Sequence, residues 1–143
     1  MKSLEEIHRI AEEQNITVDY FGLSKREALS IMDEDGACYI AIDPGRILSE
    51  TDERNKLAHE VGHCATGSFY NRYAAIDCRQ RHENRADKWA ILQLIPVAEL
   101  DDAIAEGNTE YWELAERFGV SEQFVKKAIC LYVHGNVAEE LYF

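Results

Sequence analysis

The spacing of apolar side chains predicts that the chain begins with an amphipathic helix. Apolar residues recur every three or four positions near the N-terminus, at Leu4, Ile7, Ile10 and Ala11. This spacing is typical of one buried helix face. Ser3 and Glu6 have the spacing of a capping box, in which each side chain binds the backbone N–H of the other residue. We expect the helix to begin after Ser3 and to end near Asn15.

The next segments alternate between apolar and polar residues and predict a small sheet. Residues 16–21, 28–32 and 37–42 are rich in strand-forming side chains. In the last segment Cys38, Ile40 and Ile42 fall on one face. Asp33-Glu34-Asp35-Gly36 is typical of a tight turn, so the second and third strands should form a hairpin. We therefore predict an antiparallel sheet of about three strands.

The remaining pattern is mostly helical. A helix is predicted over residues 51–66, with Ser49 or Thr51 as its cap and Gly67 at its end. Residues 69–81 lack apolar periodicity and predict a loop. Later helices are predicted at 82–95, 96–106, 110–118 and after Ser121. We predict one α+β domain over 1–143, with the sheet and longer helices in 1–107 and a helical C-terminal part, including a helical hairpin, in 108–143.

The helix over 51–66 contains the sequence His59-Glu60-Val61-Gly62-His63. Because a helix turns once in about 3.6 residues, His59 and His63 project from one face and can bind one metal ion. Glu60 is rotated by only about 100° from His59, near enough to act as a general base on a water at that metal. Gly62 costs roughly 1 kcal/mol relative to Ala inside a helix, which suggests that another backbone packs closely there.

A catalytic zinc site needs three protein ligands and one open position. Five later side chains are candidates for the third ligand: Asp77, Cys78, His82, Glu83 and Asp87. Glu83 is preferred because it begins an apolar helix and has Asp87 four residues later on the same face, where Asp87 could accept a hydrogen bond from His59 or His63. His82 is a rival, although adjacent helical residues point about 100° apart. A carboxylate at position 83 could also simply favour the helix N-terminus.

A histidine pair on one helix followed by Glu-x-x-x-Asp on a later helix is similar to the gluzincin plan. The chain further resembles the ImmA/IrrE metallopeptidases, whose members show H-E-[LIV]-G-H, then E-x-x-A-[DN]-x-[FW]-A, then a Leu/Ile-Pro segment. The matching residues are His59-Glu60-Val61-Gly62-His63, Glu83-Asn84-Arg85-Ala86-Asp87-Lys88-Trp89-Ala90 and Leu94-Ile95-Pro96, with Phe118-Gly119-Val120-Ser121 in the C-terminal part. The resemblance covers roughly residues 35 to 133. It implies a zincin-like fold, contact of Asp87 with His59, and peptidase activity toward repressors that carry a helix-turn-helix domain.

Composition and charge narrow the possible partners. The 143 residues are 46% hydrophobic and 29% charged, a balance typical of a globular protein, and the formal net charge is −12. Such an acidic surface repels phosphate backbones and anionic lipid, so neither nucleic acid nor a membrane is an expected partner. The N-terminus lacks the apolar region of a secretory signal, and the four cysteines lack C-x-x-C spacing. We therefore expect a cytoplasmic protein with reduced thiols.

Several residues near the motif have two interpretations. Tyr70 and Tyr73 could donate a hydrogen bond to a developing oxyanion, but core packing is an equal alternative, and His134 is a weaker candidate. Cys64 and Cys78 could approach the metal, although small buried side chains are the simpler interpretation. Residues 114–129 resemble a helix-turn-helix. Their acidic surroundings favour a hairpin that supports the metal-binding helix or binds a protein over one that binds DNA.

Together these features predict a cytoplasmic zinc metallo-endopeptidase. His59, His63 and Glu83 would bind one Zn²⁺ per chain, Glu60 would be the catalytic base, and Asp87 would orient a histidine. The expected substrate is a regulatory protein, namely a helix-turn-helix repressor encoded nearby in a mobile element or stress-response locus. The alternative is a non-catalytic, metal-containing regulator that binds a transcription factor without cleaving it. A fourth protein ligand, such as Cys64 or Cys78, would favour that alternative.

Overall fold

The N-terminal helix begins with the capping box that the sequence predicts. In the computed structural model, which describes residues 1–69 and 76–135 except for the side chains of 76 and 77, helix α1 spans Leu4–Glu13. The Glu6 N–H donates to Ser3 Oγ at 3.2 Å, and the Ser3 N–H donates to Glu6 Oε2 at 2.9 Å. Ile7 and Ala11 are buried, so the predicted apolar face is the one that packs on the rest of the protein.

The sheet is mixed rather than antiparallel. Its strands are β1 (Thr17–Tyr20), β2 (Ala28–Met32) and β3 (Cys38–Ile42), in the order β1-β3-β2. Strands β2 and β3 form the predicted antiparallel hairpin, but β1 pairs with β3 in parallel. The prediction of an all-antiparallel sheet was therefore wrong. The prediction failed because residues 21–27 carry the chain past β3. Strand β1 therefore pairs with the free edge of β3 and not with β2.

Central strand β3 buries the face that its pattern predicts, and Ala41 on the other face is buried as well. Cys38, Ile40 and Ile42 are all buried, and Gly36 in the preceding turn has a φ of 85°. These strand residues belong to the same buried cluster as Leu57 of the following helix. The sheet thus provides one wall of the hydrophobic core, against which the motif-bearing helix packs.

Helix α2 spans Glu50–Thr66 and carries the His-Glu-x-x-His sequence. Ser49 is its N-cap, and its hydroxyl accepts the Asp52 N–H at 3.0 Å. Gly67 ends the helix in the left-handed region, with a φ of 64°. Leu57, Ala58 and Val61 are buried in the core. With this face packed on the sheet, the histidines of the motif turn toward the next helix.

Helix α3 spans Ile76–Leu94 and is longer than the apolar pattern predicts. The expected loop over 69–81 was therefore wrong for residues 76–81, while 70–75 lie outside the described residues. The first turns of α3 are polar and carry little hydrophobic signal. They form part of the helix nonetheless, and Gln80 there donates to Asn84 one turn later at 2.8 Å.

The C-terminal part is helical, as predicted. A short α4 (Val97–Ala105) follows Pro96 and precedes the hairpin of α5 (Tyr111–Phe118) and α6 (Glu122–His134). Ser121 caps α6 as expected, and the N-cap of α5 is Glu110. Among the helices of the described ranges, none is long and apolar enough to cross a membrane.

The buried side chain of Arg54 joins three distant segments of the chain. From α2 it donates to the carbonyl oxygens of Lys2 at 3.0 Å and of Phe118 and Gly119 at 2.9 Å each. Asn55 also donates to the Gly119 carbonyl at 2.9 Å. The turn of the α5–α6 hairpin is thereby held against α2, about one helical turn before His59.

Candidate metal centre

The two histidines of α2 point their Nε2 atoms at the same place. His59 Nε2 and His63 Nε2 lie 3.2 Å apart, and their rings meet edge to face. The ligand atoms of His59, Glu60 and His63 all lie within 4.8 Å of one another. In the described part of the chain, this is the group of His, Cys, Asp and Glu side chains compact enough to hold a metal ion.

Glu83 of α3 places one carboxylate oxygen against each histidine. Its Oε2 lies 2.8 Å from His59 Nε2, and its Oε1 lies 3.3 Å from His63 Nε2. Of the third-ligand candidates, Glu83 is thus the one seen in contact with both imidazoles. Its rival His82 has Nδ1 3.5 Å from Arg85 on α3.

The Nδ1 atom of each imidazole also has a hydrogen-bond partner. His63 Nδ1 donates to the Ser68 carbonyl at 2.6 Å, since a carbonyl oxygen can only accept. His59 Nδ1 lies 3.0 Å from Asp87 Oδ1, the contact that the family resemblance implied. These partners favour a proton on Nδ1, so Nε2 is the nitrogen of each ring that would bind a metal, after giving up any proton of its own.

The second carboxylate oxygen of Asp87 also has a hydrogen-bond partner. Its Oδ2 accepts a hydrogen bond from Lys127 Nζ of α6 at 2.8 Å. Sequence reasoning missed Lys127 and the Ser68 carbonyl. No local signal marks Lys127, because it follows Asp87 by 40 residues and only the docking of α6 on α3 brings the two together.

The electrostatics of the cluster favour positive charge at its centre. Burial lowers the pKa of His59, but hydrogen bonds with Asp87 and Glu83 outweigh it and raise that pKa to about 10. Burial raises the pKa of Glu83, yet contacts with His59 and His63 hold it below its usual range. Asp87 follows the same pattern, since His59 and Lys127 outweigh burial and lower its pKa. A cation at this place therefore meets carboxylates that are already ionised.

The residues present fit a metal ion. Two imidazole nitrogens and a carboxylate form a donor set that zinc accepts in catalytic sites. Glu60 is only 9% exposed, and its Oε2 is buried without a hydrogen-bond partner among the residues that the structure describes. A buried carboxylate oxygen is costly unless something binds it. An ion and its associated water would satisfy that oxygen.

Clefts open on both sides of Glu60. One is lined by Glu60, His63 and Glu83 together with Arg26, Ser30, Ser68 and Phe69. The other is lined by His59 and Glu60 together with Lys56 and residues 25–28 of the segment leading into β2. The centre is thus reached from solvent along the side of the molecule where β2 lies beside α2.

Cys64, a candidate for a fourth ligand, has a neighbour on strand β3. Cys64 packs against the hydrophobic core, and burial and the neighbouring Cys38 raise the pKa of its thiol. Tyr70 and Tyr73, the candidate oxyanion stabilisers, lie outside the described residues, and their role stays a prediction.

An H-E-x-x-H helix faced by a glutamate from the next helix, within an α+β fold, defines a metallopeptidase-type centre. Residues 10–129 match the peptidase M78 family, described as the IrrE N-terminal-like domain, and the chain belongs to this family. The resemblance to ImmA/IrrE metallopeptidases is thereby confirmed, and membership supports a metallopeptidase-type function. A search of curated proteins finds no relative that matches the chain.

Proposed function

We propose that the protein is a zinc-dependent metallo-endopeptidase that cleaves a regulatory protein. The observation that carries the proposal is the position of Glu83, whose two oxygens lie 2.8 and 3.3 Å from the Nε2 atoms of His59 and His63. Glu60 stands beside them, and its buried Oε2 has no hydrogen-bond partner within residues 1–69 and 76–135. Three donors and an adjacent carboxylate base are what zinc-dependent hydrolysis of a peptide bond uses.

His59, His63 and Glu83 would hold one zinc ion per chain. Bound there, the ion would polarise a peptide carbonyl and lower the pKa of water toward about 7. The chain's own contribution is to keep the donors in place before substrate arrives. Asp87 and the Ser68 carbonyl do so for the two imidazoles, from distances of 3.0 and 2.6 Å.

Glu60 would move the proton in the reaction. Its Oε2 would accept a proton from the attacking water and then donate it to the amine nitrogen as the C–N bond breaks. This assignment is supported by the burial of Glu60 and by its position within 4.8 Å of both histidines. A carboxylate with no other hydrogen-bond partner at Oε2 in the described structure is free to bind that water.

The substrate would bind as an extended strand next to β2. Because the order is β1-β3-β2, one side of β2 pairs with no strand in the described sheet. Ser30, in the middle of β2, lines the same cleft as Glu60 and His63. A peptide segment added to this edge would gain backbone hydrogen bonds and present its carbonyl to the centre.

The proposed substrate is a helix-turn-helix repressor encoded near this protein, and the proposed location is the cytoplasm. Both rest on the resemblance to the ImmA/IrrE metallopeptidases together with family membership. An unfolded or exposed segment of the repressor would enter the cleft, because a folded helix cannot pair with a strand edge. The net charge of −12 supports a protein partner over nucleic acid.

The test uses the Glu60→Gln variant, which keeps the size of the side chain but removes the base. Purified wild type loaded with zinc should cleave the neighbouring repressor, and a chelator should stop it. Glu60→Gln should retain zinc by elemental analysis and lose cleavage by at least about 100-fold. Cleavage by Glu60→Gln at the wild-type rate would contradict the mechanism. Zinc-loaded wild type that binds the repressor without cutting it would instead support the non-catalytic regulator.

A further inference from the structure

Lys127 joins the last helix to the network around the metal centre by a direct hydrogen bond. It lies on α6, and its Nζ donates to Asp87 Oδ2 at 2.8 Å. The other carboxylate oxygen of Asp87 lies 3.0 Å from His59 Nδ1. A continuous path of two contacts therefore joins α6 to a predicted metal ligand.

Asp87 needs a partner of this kind. Its side chain is only 10% exposed, and a buried carboxylate is stable only when it is paired and hydrogen-bonded. When His59 binds a metal it is neutral, so Asp87 then lies against a neutral imidazole and no longer against an imidazolium ion. Lys127 is the cation seen against Asp87 in the described residues.

Lys127 also restricts the orientation of the carboxylate. The terminal torsion of an aspartate is broad and roughly two-fold, so one hydrogen bond leaves the group free to tilt. Contacts at both oxygens define its plane. A carboxylate held in this plane aims Oδ1 at His59 Nδ1 and so favours the tautomer whose Nε2 can bind a metal.

The docking of α6 does not depend on this contact. Val125, Ala128 and Leu131 of α6 are buried, and the Tyr132 hydroxyl donates to the Ile95 carbonyl at 2.7 Å. The Lys127 side chain, by contrast, is 32% exposed. Its removal should therefore leave the hairpin in place while changing what Asp87 does.

We propose that Lys127 is a positioning residue of the metal centre, which through Asp87 sets the orientation and tautomer of His59 and thereby the affinity for metal. The inference rests on the proposed metal site and does not depend on hydrolysis. It makes the C-terminal hairpin a contributor to the metal centre as well as a support for α2.

The test compares three variants of the full chain. Lys127→Met removes the charge and keeps the length of the side chain, whereas Lys127→Arg keeps the charge. The matched control is Lys126→Met, because Lys126 is the next residue of α6 and lies 5.3 Å from the Tyr111 ring. Zinc affinity is measured by competition with a chelating dye. The ring ¹⁵N and Nδ1–H signals of His59 are recorded by NMR with and without zinc.

We expect Lys127→Met to bind zinc about 10-fold more weakly and to shift the His59 signals. Lys127→Arg should recover most of the affinity, and Lys126→Met should match wild type. The proposal is overturned if Lys127→Met keeps wild-type affinity and unchanged His59 signals. It is also overturned if Lys126→Met weakens binding equally, since the effect would then be one of overall charge. If Lys127→Met does not fold, Lys127→Gln takes its place and is compared with Lys127→Arg. Equal zinc affinity and equal His59 signals in these two variants overturn the proposal.

Discussion

Gly62 of α2 faces the backbone of Ala86 in α3 so closely that no side chain fits between them. A Cβ at position 62 would lie 2.6 Å from the Ala86 carbonyl oxygen and 3.1 Å from its Cα. Ala86 lies between Glu83 and Asp87 in sequence, so this approach is what brings both carboxylates to the histidines. The close packing predicted from a glycine inside a helix is confirmed, and its partner is the helix that carries Glu83.

Replacing Gly62 with alanine should push α2 and α3 apart. Alanine gains about 1 kcal/mol of helix propensity, but a backbone clash is not relieved by a rotamer change. We expect the free energy of unfolding to fall by about 1–3 kcal/mol, measured by urea denaturation of the metal-free protein. Zinc affinity should fall as well. Gly22→Ala is the control, because a Cβ there meets no atom of the described residues within 4 Å. Equal stability of Gly62→Ala and wild type would show that α3 can shift without cost.

Arg54→Met should destabilise the protein without touching the metal ligands. The change leaves the Lys2 and Phe118 carbonyls without the donors they now have from Arg54. Unsatisfied buried groups cost about 1–3 kcal/mol each, so we expect a loss of about 2–4 kcal/mol in thermal or urea unfolding. Arg117→Met is a suitable control, because Arg117 pairs with Glu106 on the surface and such pairs contribute about 0–1 kcal/mol. A similar loss in both variants would refute a special role for Arg54.

Glu83→Ala should lose bound metal, whereas His82→Ala should keep it. Glu83 contacts both histidines, but the observed Nδ1 contact of His82 is with Arg85. Removing one of three donors weakens a zinc site far more than removing a neighbour does. Elemental analysis after dialysis measures both. If Glu83→Ala kept its zinc and His82→Ala lost it, the third ligand would be His82 and not Glu83.

Protonation of Asp43 should make the metal-free protein less stable in acid. Its carboxylate accepts the Leu23 and Gly45 N–H groups at 3.1 and 2.9 Å, and these bonds lower its pKa from 3.8. A lowered folded-state pKa means that the stabilisation is fully present above about pH 4 and is lost as the pH falls through the folded value. Asp43→Asn should therefore be less stable than wild type at pH 7, with a smaller difference at pH 3. Urea unfolding at both pH values, with chelator present, measures this. A constant difference would contradict the assignment.

Local patterns in the sequence were sufficient for much of the fold and for the centre of the site. Helix caps at Ser3 and Ser121 were predicted correctly, and Ser49 was one of the two caps predicted for α2, because a cap depends on residues within one turn. His59 and His63 share a face for the same reason, since helical spacing alone places them together. The polar first turns of α3 were missed because their side chains carry no apolar periodicity.

The sequence by itself determined most of the helices and strands and which side chains could bind a metal, since those properties depend on neighbours a few positions away. Only the tertiary structure decided that β1 pairs in parallel with β3, that Glu83 reaches both histidines, and that Lys127 holds Asp87. Each of these depends on how distant segments pack. The close approach of α2 and α3 at Gly62 and the docking of α6 set distances that no local pattern encodes.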